Sequence, residues 1–285
     1  MREVVIISGK GGTGKTTLTA SLAALWKHKV IADCDVDAAD LHLLLQPTIQ
    51  EKTYFYSGVK AVIDRESCTQ CGKCREVCKY EAISPDFVVS GIDCEGCGVC
   101  YHFCPVEAIS LDERRCGEWY RSDTRFGPLV HARLGIAEEN SGKLISLIRD
   151  QAKLLAKKQG MDTILIDGSP GIGCPVISSI TGASLVVIVT ESTISGAHDM
   201  ERVLGLAKHF EIPAMVVINK NDLNEEMSRK IESAAEEHDS TVIGKIRYDP
   251  VVTQAMVQGK TVIEYSDGPV ADEIKAIGEK LLENR

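Results

Sequence analysis

No apolar run in the 285-residue sequence approaches the length of a membrane span, so a spanning helix is not expected. Positive charge is not in excess either. Lys and Arg number 32 against 41 Asp and Glu, a formal charge of -9, which argues against a nucleic-acid backbone as the main partner. The sequence enters a strand-like run at once, and no secretory or transit segment is expected. Its last stretch, 271–285, is acid-leaning and lacks the basic amphipathic character of a membrane-seeking helix. Histidines such as His131, His198 and His209, read as surface residues, offer no constellation for substrate chemistry. These absences leave a cytoplasmic protein with neither membrane nor nucleic acid as partner. Cysteine, by contrast, is abundant: there are eleven, eight of them between Cys68 and Cys104. That count is heavy for a cytosolic chain unless the cysteines bind something.

The stretch around which the chain is organised is Ser8-Gly9-Lys10-Gly11-Gly12-Thr13-Gly14-Lys15-Thr16-Thr17. An apolar run, 4–7, precedes it and a helix-like segment, 18–27, follows. Strand, glycine-rich loop and helix together form the context that a phosphate-binding loop requires. Gly9, Gly11, Gly12 and Gly14 let the backbone curl until its N–H groups converge on phosphate oxygens, and the helix N-terminus adds its positive dipole end. Lys15 is placed to reach the β- and γ-phosphates, and the Thr16 hydroxyl to hold Mg²⁺, with Thr13 and Thr17 completing the loop. A plain glycine-rich turn is the alternative, and it leaves Lys15 and Thr16 unexplained.

A second lysine, Lys10, directly after the first glycine gives KGGTGKTT. This resembles the deviant Walker A loop of the MinD/ParA/Mrp ATPases. The resemblance implies an ATP-sandwich homodimer in which Lys10 reaches across to the partner's nucleotide. Residues 30–33 form a short apolar strand ending in Asp33-Cys34-Asp35, and acids at the carboxyl end of such a strand face the ligand crevice of an open α/β sheet. The position resembles the family's switch I, which implies Asp35 as the group that orients or deprotonates the attacking water and Asp33 as a support near Mg²⁺. The alternative is an acidic turn capping a helix at 38–45, and Cys34 reads as a small buried residue. A buried strand at 163–167 ends in Asp167-Gly168 and resembles the Walker B and switch II segment. The resemblance gives Asp167 to Mg²⁺ through water, and gives Gly168 and Gly171 to loop movement. Asn219-Lys220-Asn221-Asp222 after another strand resembles the base-contacting position of the family, with Asn219 on adenine. The same four residues also match a guanine-specificity motif with Asp222 on the base; the deviant loop favours ATP, and GTP is the alternative.

The segment from Cys68 to Ser84 aligns with that from Cys94 to Ser110. Nine of seventeen positions are identical: the four cysteines, the glycine and Glu-Ala-Ile-Ser. The repeat, C-x2-C-x2-C-x3-C twice, resembles the bacterial two-cluster ferredoxin. Zinc sites use C-x2-C pairs with a long spacer, and disulfides disagree with a cytosolic setting. The resemblance implies two [4Fe–4S] clusters, one on Cys68, Cys71, Cys74 and Cys104, the other on Cys94, Cys97, Cys100 and Cys78. Val77, Ile83, Val88, Ile92, Phe103 and Ile109 are expected to pack around them. Lys79 stands where the first repeat would carry the proline that Pro105 supplies in the second.

The expected fold is therefore α/β, a doubly wound mostly parallel P-loop sheet of MinD-like type, with a small inserted α+β ferredoxin-like domain. The expected division is 1–60 and 113–285 for the ATPase and 61–112 for the insert. Beyond the insert, strands are expected at 116–124, 129–134, 185–190, 214–218 and 241–246. Helices are expected from Ser141 onward and at 197–209, 251–258 and 270–282. Three functions fit: ATP-gated electron delivery to a redox partner, an iron–sulfur carrier or maturation ATPase, and a MinD-like positioning ATPase with a redox sensor. Cys174, seven residues after Asp167, resembles a position that holds an intersubunit cluster in nitrogenase iron protein. The second ligand of that arrangement has no counterpart, because 135–143 contains no cysteine.

Overall fold

A computed structural model of the chain describes residues 1–135 and 141–283. The part of 135–143 that lies at 136–140 falls outside the described residues. The strands are β1 (Arg2–Ser8), β2 (Lys29–Asp33), β3 (Thr48–Ile63), β4 (Ile109–Thr124), β5 (Gly127–Leu134), β6 (Thr163–Pro170), β7 (Leu185–Glu191), β8 (Ala214–Asn219) and β9 (Thr241–Ile246). They form one sheet in the order β3-β4-β5-β2-β6-β1-β7-β8-β9. Every pairing from β5 through β9 in that order is parallel. Parallel strands covered on both faces read as unbroken apolar runs, and 4–7, 164–166 and 186–189 are such runs, almost wholly buried.

The helices are α1 (Lys15–Leu25), α2 (Leu41–Leu45), α3 (Lys73–Val77), α4 (Val99–His102), α5 (Ser141–Gln159), α6 (Cys174–Ile180), α7 (Ile194–His209), α8 (Glu225–Glu237), α9 (Pro250–Val257), α10 (Val262–Tyr265) and α11 (Pro269–Glu283). One core layer joins Ile6, Leu18, Leu22, Leu45, Val187 and Ile277, among others, so α1, α2 and α11 pack on the sheet through it. Each such side chain contributes roughly 1.5–3 kcal/mol by leaving water.

The chain divides into two compact units. The first comprises Met1–Thr53, Trp119–Arg133 and the chain from Ser141; the second comprises Tyr54–Glu118 and the described part of the segment that starts at Leu134. The changes of unit after Thr53, Glu118 and Arg133 fall inside β3, β4 and β5.

Several elements differ from the sequence reading. The helix expected at 38–45 begins only at Leu41, because the chain before it is held by bonds from Cys34 N–H to the Asp167 carbonyl (2.7 Å) and from Asp35 N–H to Asp33 Oδ1 (3.1 Å). Two extended stretches expected from the sequence, at 53–59 and 61–63, are one strand, β3, which carries Gly58 at φ 71° without breaking. Strand β4 starts seven residues before Cys116, where Asp112, Glu113, Arg114 and Arg115 mask the alternation. Helix α8 was not expected at all, yet Asn224 caps it, its side chain accepting from Met227 N–H, with Glu225 and Glu226 favourably placed in the first turn.

Candidate functional site

The phosphate loop joins β1, in the middle of the sheet, to α1. Gly14 ends it in the left-handed region (φ 91°), and a Cβ there would fall 2.3 Å from Asn219 Nδ2. Only glycine satisfies both demands. Asn219 reaches the loop because β8 ends there: its Nδ2 donates to the Thr13 carbonyl at 2.8 Å, and its Oδ1 accepts from Lys220 N–H at 3.0 Å. Gly9 permits a close approach of a different kind, since a Cβ there would lie 2.4 Å from Asp199 Cβ of α7. Gly11 and Gly12 face open space, and Thr17 Oγ1 donates to Met256 Sδ at 3.7 Å.

The acids meet beneath this loop. Strand register sets Asp33 of β2 beside Asp167 of β6, and Asp167 beside Ile6 of β1. Lys15 Nζ donates to Asp35 Oδ2 at 3.0 Å and to Asp167 Oδ1 at 3.2 Å. Thr16 Oγ1 donates to Asp167 Oδ2 at 2.8 Å, and Thr19 Oγ1 to Asp167 Oδ1 at 3.0 Å. Thr19 was not expected in the site; its place one helical turn after Lys15 is the signal that could have found it. Three carboxylates thus crowd one ammonium. Burial works against the charge of Lys15, but Asp167 and Asp35 outweigh it and hold its pKa above the ordinary lysine value. Burial pushes Asp33 well above the usual carboxylate range; Asp167 adds to the shift and Lys15 opposes it. Burial likewise raises Asp35 against the pull of Lys15.

Among the described residues, Asp33 Oδ2, Asp35 Oδ1 and Thr13 Oγ1 are buried with no hydrogen-bond partner. Oxygens left so in a net acidic pocket fit a hard divalent cation and its waters. Thr16 and Asp167 would hold Mg²⁺, with Asp33 behind them, and the ion would neutralise charge on the phosphates.

Lys10 is held by its own chain. Its Nζ donates to Ser195 Oγ at 3.0 Å and lies 3.5 Å from Glu191 Oε2. Glu191 Oε1 accepts from Lys220 Nζ at 2.5 Å. Gly168 lies within β6, where a Cβ would meet Ile7 Cγ2 at 2.6 Å, so of the two switch II glycines it is Gly171, at φ 95°, that stands in a turn. Asp222 is exposed, and its Oδ1 accepts from Tyr248 N–H at 2.7 Å. His131 is buried, not a surface residue: it bonds Ser122 Oγ at 2.9 Å and stacks on Tyr120, and burial lowers its pKa to about 4.

The second unit contains two cavities. One is lined by Cys68, Cys71, Cys74 and Cys104, the other by Cys94, Cys97, Cys100 and Cys78. Each therefore gathers three cysteines of one repeat and the fourth of the other. Gly72 and Gly98 open α3 and α4 in the left-handed region, at φ 82° and 74°, which turns Cys74 and Cys100 inward. Burial raises the thiol pKa of both. Among the described residues, no group of three or more His, Cys, Asp or Glu gathers as for a single metal ion. The cysteines instead line two separate small cavities.

The packing around these cavities differs in part from expectation. Ile83 and Ile109 are buried there and Val77 is half-buried, but Val88, Ile92 and Phe103 are exposed. An antiparallel bridge between Ile83 and Val89 turns Val89 inward, and strand alternation then turns Val88 outward. Phe87, Val89, Ile63 and Leu111 fill the places left. Cys34 is fully buried, Cys116 donates to the Ser57 carbonyl at 3.0 Å, and Cys174 is exposed at the start of α6.

A glycine-rich loop and three acids at the carboxyl ends of parallel strands define a P-loop nucleotide-binding α/β protein. The chain belongs to the CobQ/CobB/MinD/ParA nucleotide binding domain family, whose description matches residues 4–262. It is similar to the uncharacterized protein MJ0578 of Methanocaldococcus jannaschii, 34% identical over 285 residues covering 99% of this chain and 96% of that protein. It is also similar to the septum site-determining protein MinD of Bacillus subtilis, 25% identical over 225 residues, 76% of this chain and 64% of that protein. Among solved structures, the MinD cell division protein of Aquifex aeolicus matches with a TM-score of 0.59 at 19% identity, covering 99% of this chain and 97% of that one. MinD complexed with Mg-ADP from Pyrococcus horikoshii matches with a TM-score of 0.59 at 19% identity, covering 98% and 95%. At that identity the structures share the fold. No helix among the described residues is long and apolar enough to cross a membrane.

Proposed function

We propose that this chain binds and hydrolyses ATP with Mg²⁺ as a sandwich homodimer, and that residues 61–112 form a ferredoxin-like domain carrying two [4Fe–4S] centres. The nucleotide cycle then times electron delivery to a redox partner protein. The observation that carries the second half is the sorting of eight cysteines into two cavities, each completed by a cysteine from the other repeat. A chain with unrelated thiols has no reason to cross its repeats in this way. When bound, such centres accept and donate single electrons.

In the nucleotide half, Lys15 exchanges its carboxylate partners for the β- and γ-phosphates. Asp35, freed of that ammonium, orients the attacking water, and its Oδ1 is buried and unpartnered. Lys10 leaves Ser195 and Glu191 to reach the partner's nucleotide. Asn219 ties the base side of the pocket to the loop, and the bond from Tyr248 to Asp222 Oδ1 favours ATP over GTP, because guanine recognition needs that carboxylate for the base.

A second reading, a positioning ATPase with a redox-sensing insert, draws on the relatives named septum site-determining protein MinD. Both readings need the centres; only the first needs a partner that is reduced. Anaerobic reconstitution tests the shared part. The proposal expects about eight iron and eight sulfide per chain, together with Mg²⁺-dependent ATP hydrolysis. Purified chain that takes up no iron and sulfide under those conditions contradicts it.

A further inference from the structure

The two cysteine cavities come from one repeat, yet they are not equivalent. Resting on the reading that each holds a [4Fe–4S] centre, we propose that the centre on Cys68, Cys71, Cys74 and Cys104 has the more positive reduction potential. The first electron supplied by a low-potential donor then rests there.

Reduction adds negative charge to a thiolate-bound centre, so whatever stabilises negative charge at the sulfurs raises the potential: N–H donors, solvent and cations. Three observations point the same way. Gln70 N–H donates to Cys68 Sγ at 3.4 Å and Ala108 N–H to Cys104 Sγ at 3.3 Å. At the aligned positions of the other repeat, Gly96 with Cys94 and Ala82 with Cys78, the corresponding bonds are not made among the described residues. Solvent differs as well. Cys94 and Cys100 are both buried, whereas only Cys74 is buried in the first cavity and Cys68 is half-exposed; Cys71 and Cys97 are alike in being exposed.

Charge is the third difference. Where the first repeat has Lys73 and Arg75, the second has Val99 and Tyr101, whereas Lys79 follows Cys78, a ligand of the second cavity, and works against the ordering. Lys73 and Arg75 flank Cys74. Lys73 is half-exposed and paired with the exposed Glu76 at 3.0 Å, so its contribution is screened and small, and the N–H donors carry more of the argument. On the other side, Arg114 donates to the Cys94 carbonyl at 3.0 Å, but Glu95 lines that same cavity and offsets it.

The test is a potentiometric EPR titration of the full chain, reconstituted anaerobically and reduced with dithionite, after iron and sulfide have been counted. Two waves are expected. Cys78→Ala, which removes a ligand of the second cavity, keeps the more positive wave; Cys104→Ala keeps the more negative one. Lys73→Gln with Arg75→Gln leaves both centres in place and moves only the more positive wave, toward negative potential. If the ligand variants disturb folding, that surface double variant still assigns the waves. A chain with no iron and sulfide defeats the functional reading itself. A loaded chain whose two centres titrate together, or whose more positive wave survives in Cys104→Ala, overturns the ordering alone.

Discussion

Lys10 and Glu191 face each other across the mouth of the phosphate loop, Nζ to Oε2 at 3.5 Å, with Ser195 Oγ at 3.0 Å completing the hold. In the proposed dimer, the lysine that would serve the partner's nucleotide is thereby held on its own chain beforehand. Replacing Lys10 by Ala is expected to cut ATP hydrolysis by roughly 10³-fold, the scale of a charge supplied in trans, with nucleotide affinity of the monomer nearly unchanged. Glu191→Gln is expected to release the lysine and raise the dimer fraction at a given ATP concentration. Steady-state hydrolysis and sedimentation velocity check the pair. Equal loss of monomer affinity and rate in Lys10→Ala would point to a role in cis.

Asp33 is the costliest acid of the site. Buried beside Asp167 with one oxygen unpartnered, it has a folded-state pKa raised above its unfolded value. The native state therefore holds its proton more tightly. The stability this contributes is fully present below the unfolded pKa and is lost as pH rises through the folded one. Asp33→Asn is expected to raise the melting temperature of the nucleotide-free protein at pH 8 by a few degrees, the size of about 1 kcal/mol in a chain of this length, and by less at pH 5. Calorimetry at the two pH values decides, and a variant less stable at pH 8 contradicts the assignment. Hydrolysis is expected to fall in the same variant, because the proposed Mg²⁺ site has Asp33 behind Thr16 and Asp167.

Much of this was legible in the sequence. The glycine spacing of the loop and the three-residue cysteine steps each encode backbone geometry in a few adjacent residues, and short-range patterns survive without knowledge of the fold. What was not legible depends on register. That Val89 and not Val88 packs inward is fixed by its bridge to Ile83, and that Asp33 stands beside Asp167 is fixed by the pairing of β2 with β6. The contact of Asn219 with the Thr13 carbonyl spans more than two hundred residues and leaves no local trace. Helix α8 was readable from Asn224 and the two glutamates after it, but its few apolar residues hid the period.

The proposed base choice rests on Asp222. Its Oδ1 accepts from Tyr248 N–H at 2.7 Å, which engages the carboxylate that guanine recognition would need. ATP is expected to bind at least about ten-fold more tightly than GTP, some 1.4 kcal/mol. Asp222→Ala is expected to weaken both nucleotides alike by loosening the Tyr248 loop. Fluorescent-nucleotide competition measures this, and a variant that loses GTP alone would restore the guanine reading.

The crossing of the repeats has its own consequence. Cys78 lines the cavity of the second repeat, so Cys78→Ala is expected to remove that centre and halve the bound iron, leaving the cavity of Cys68, Cys71 and Cys74 loaded. Iron analysis with EPR spin counting reads the outcome. Loss of the first centre instead would mean that each repeat closes on itself.

The central claim is that nucleotide state and electron transfer are coupled within one chain. Its most direct test is the reduction potentials of the reconstituted dimer, titrated anaerobically by EPR first with Mg-ADP and then with a non-hydrolysable ATP analogue. Coupling predicts a shift of tens of millivolts between the two, roughly a kcal/mol for one electron. Superimposable titrations would contradict it and leave the centres as a sensor carried by a positioning ATPase.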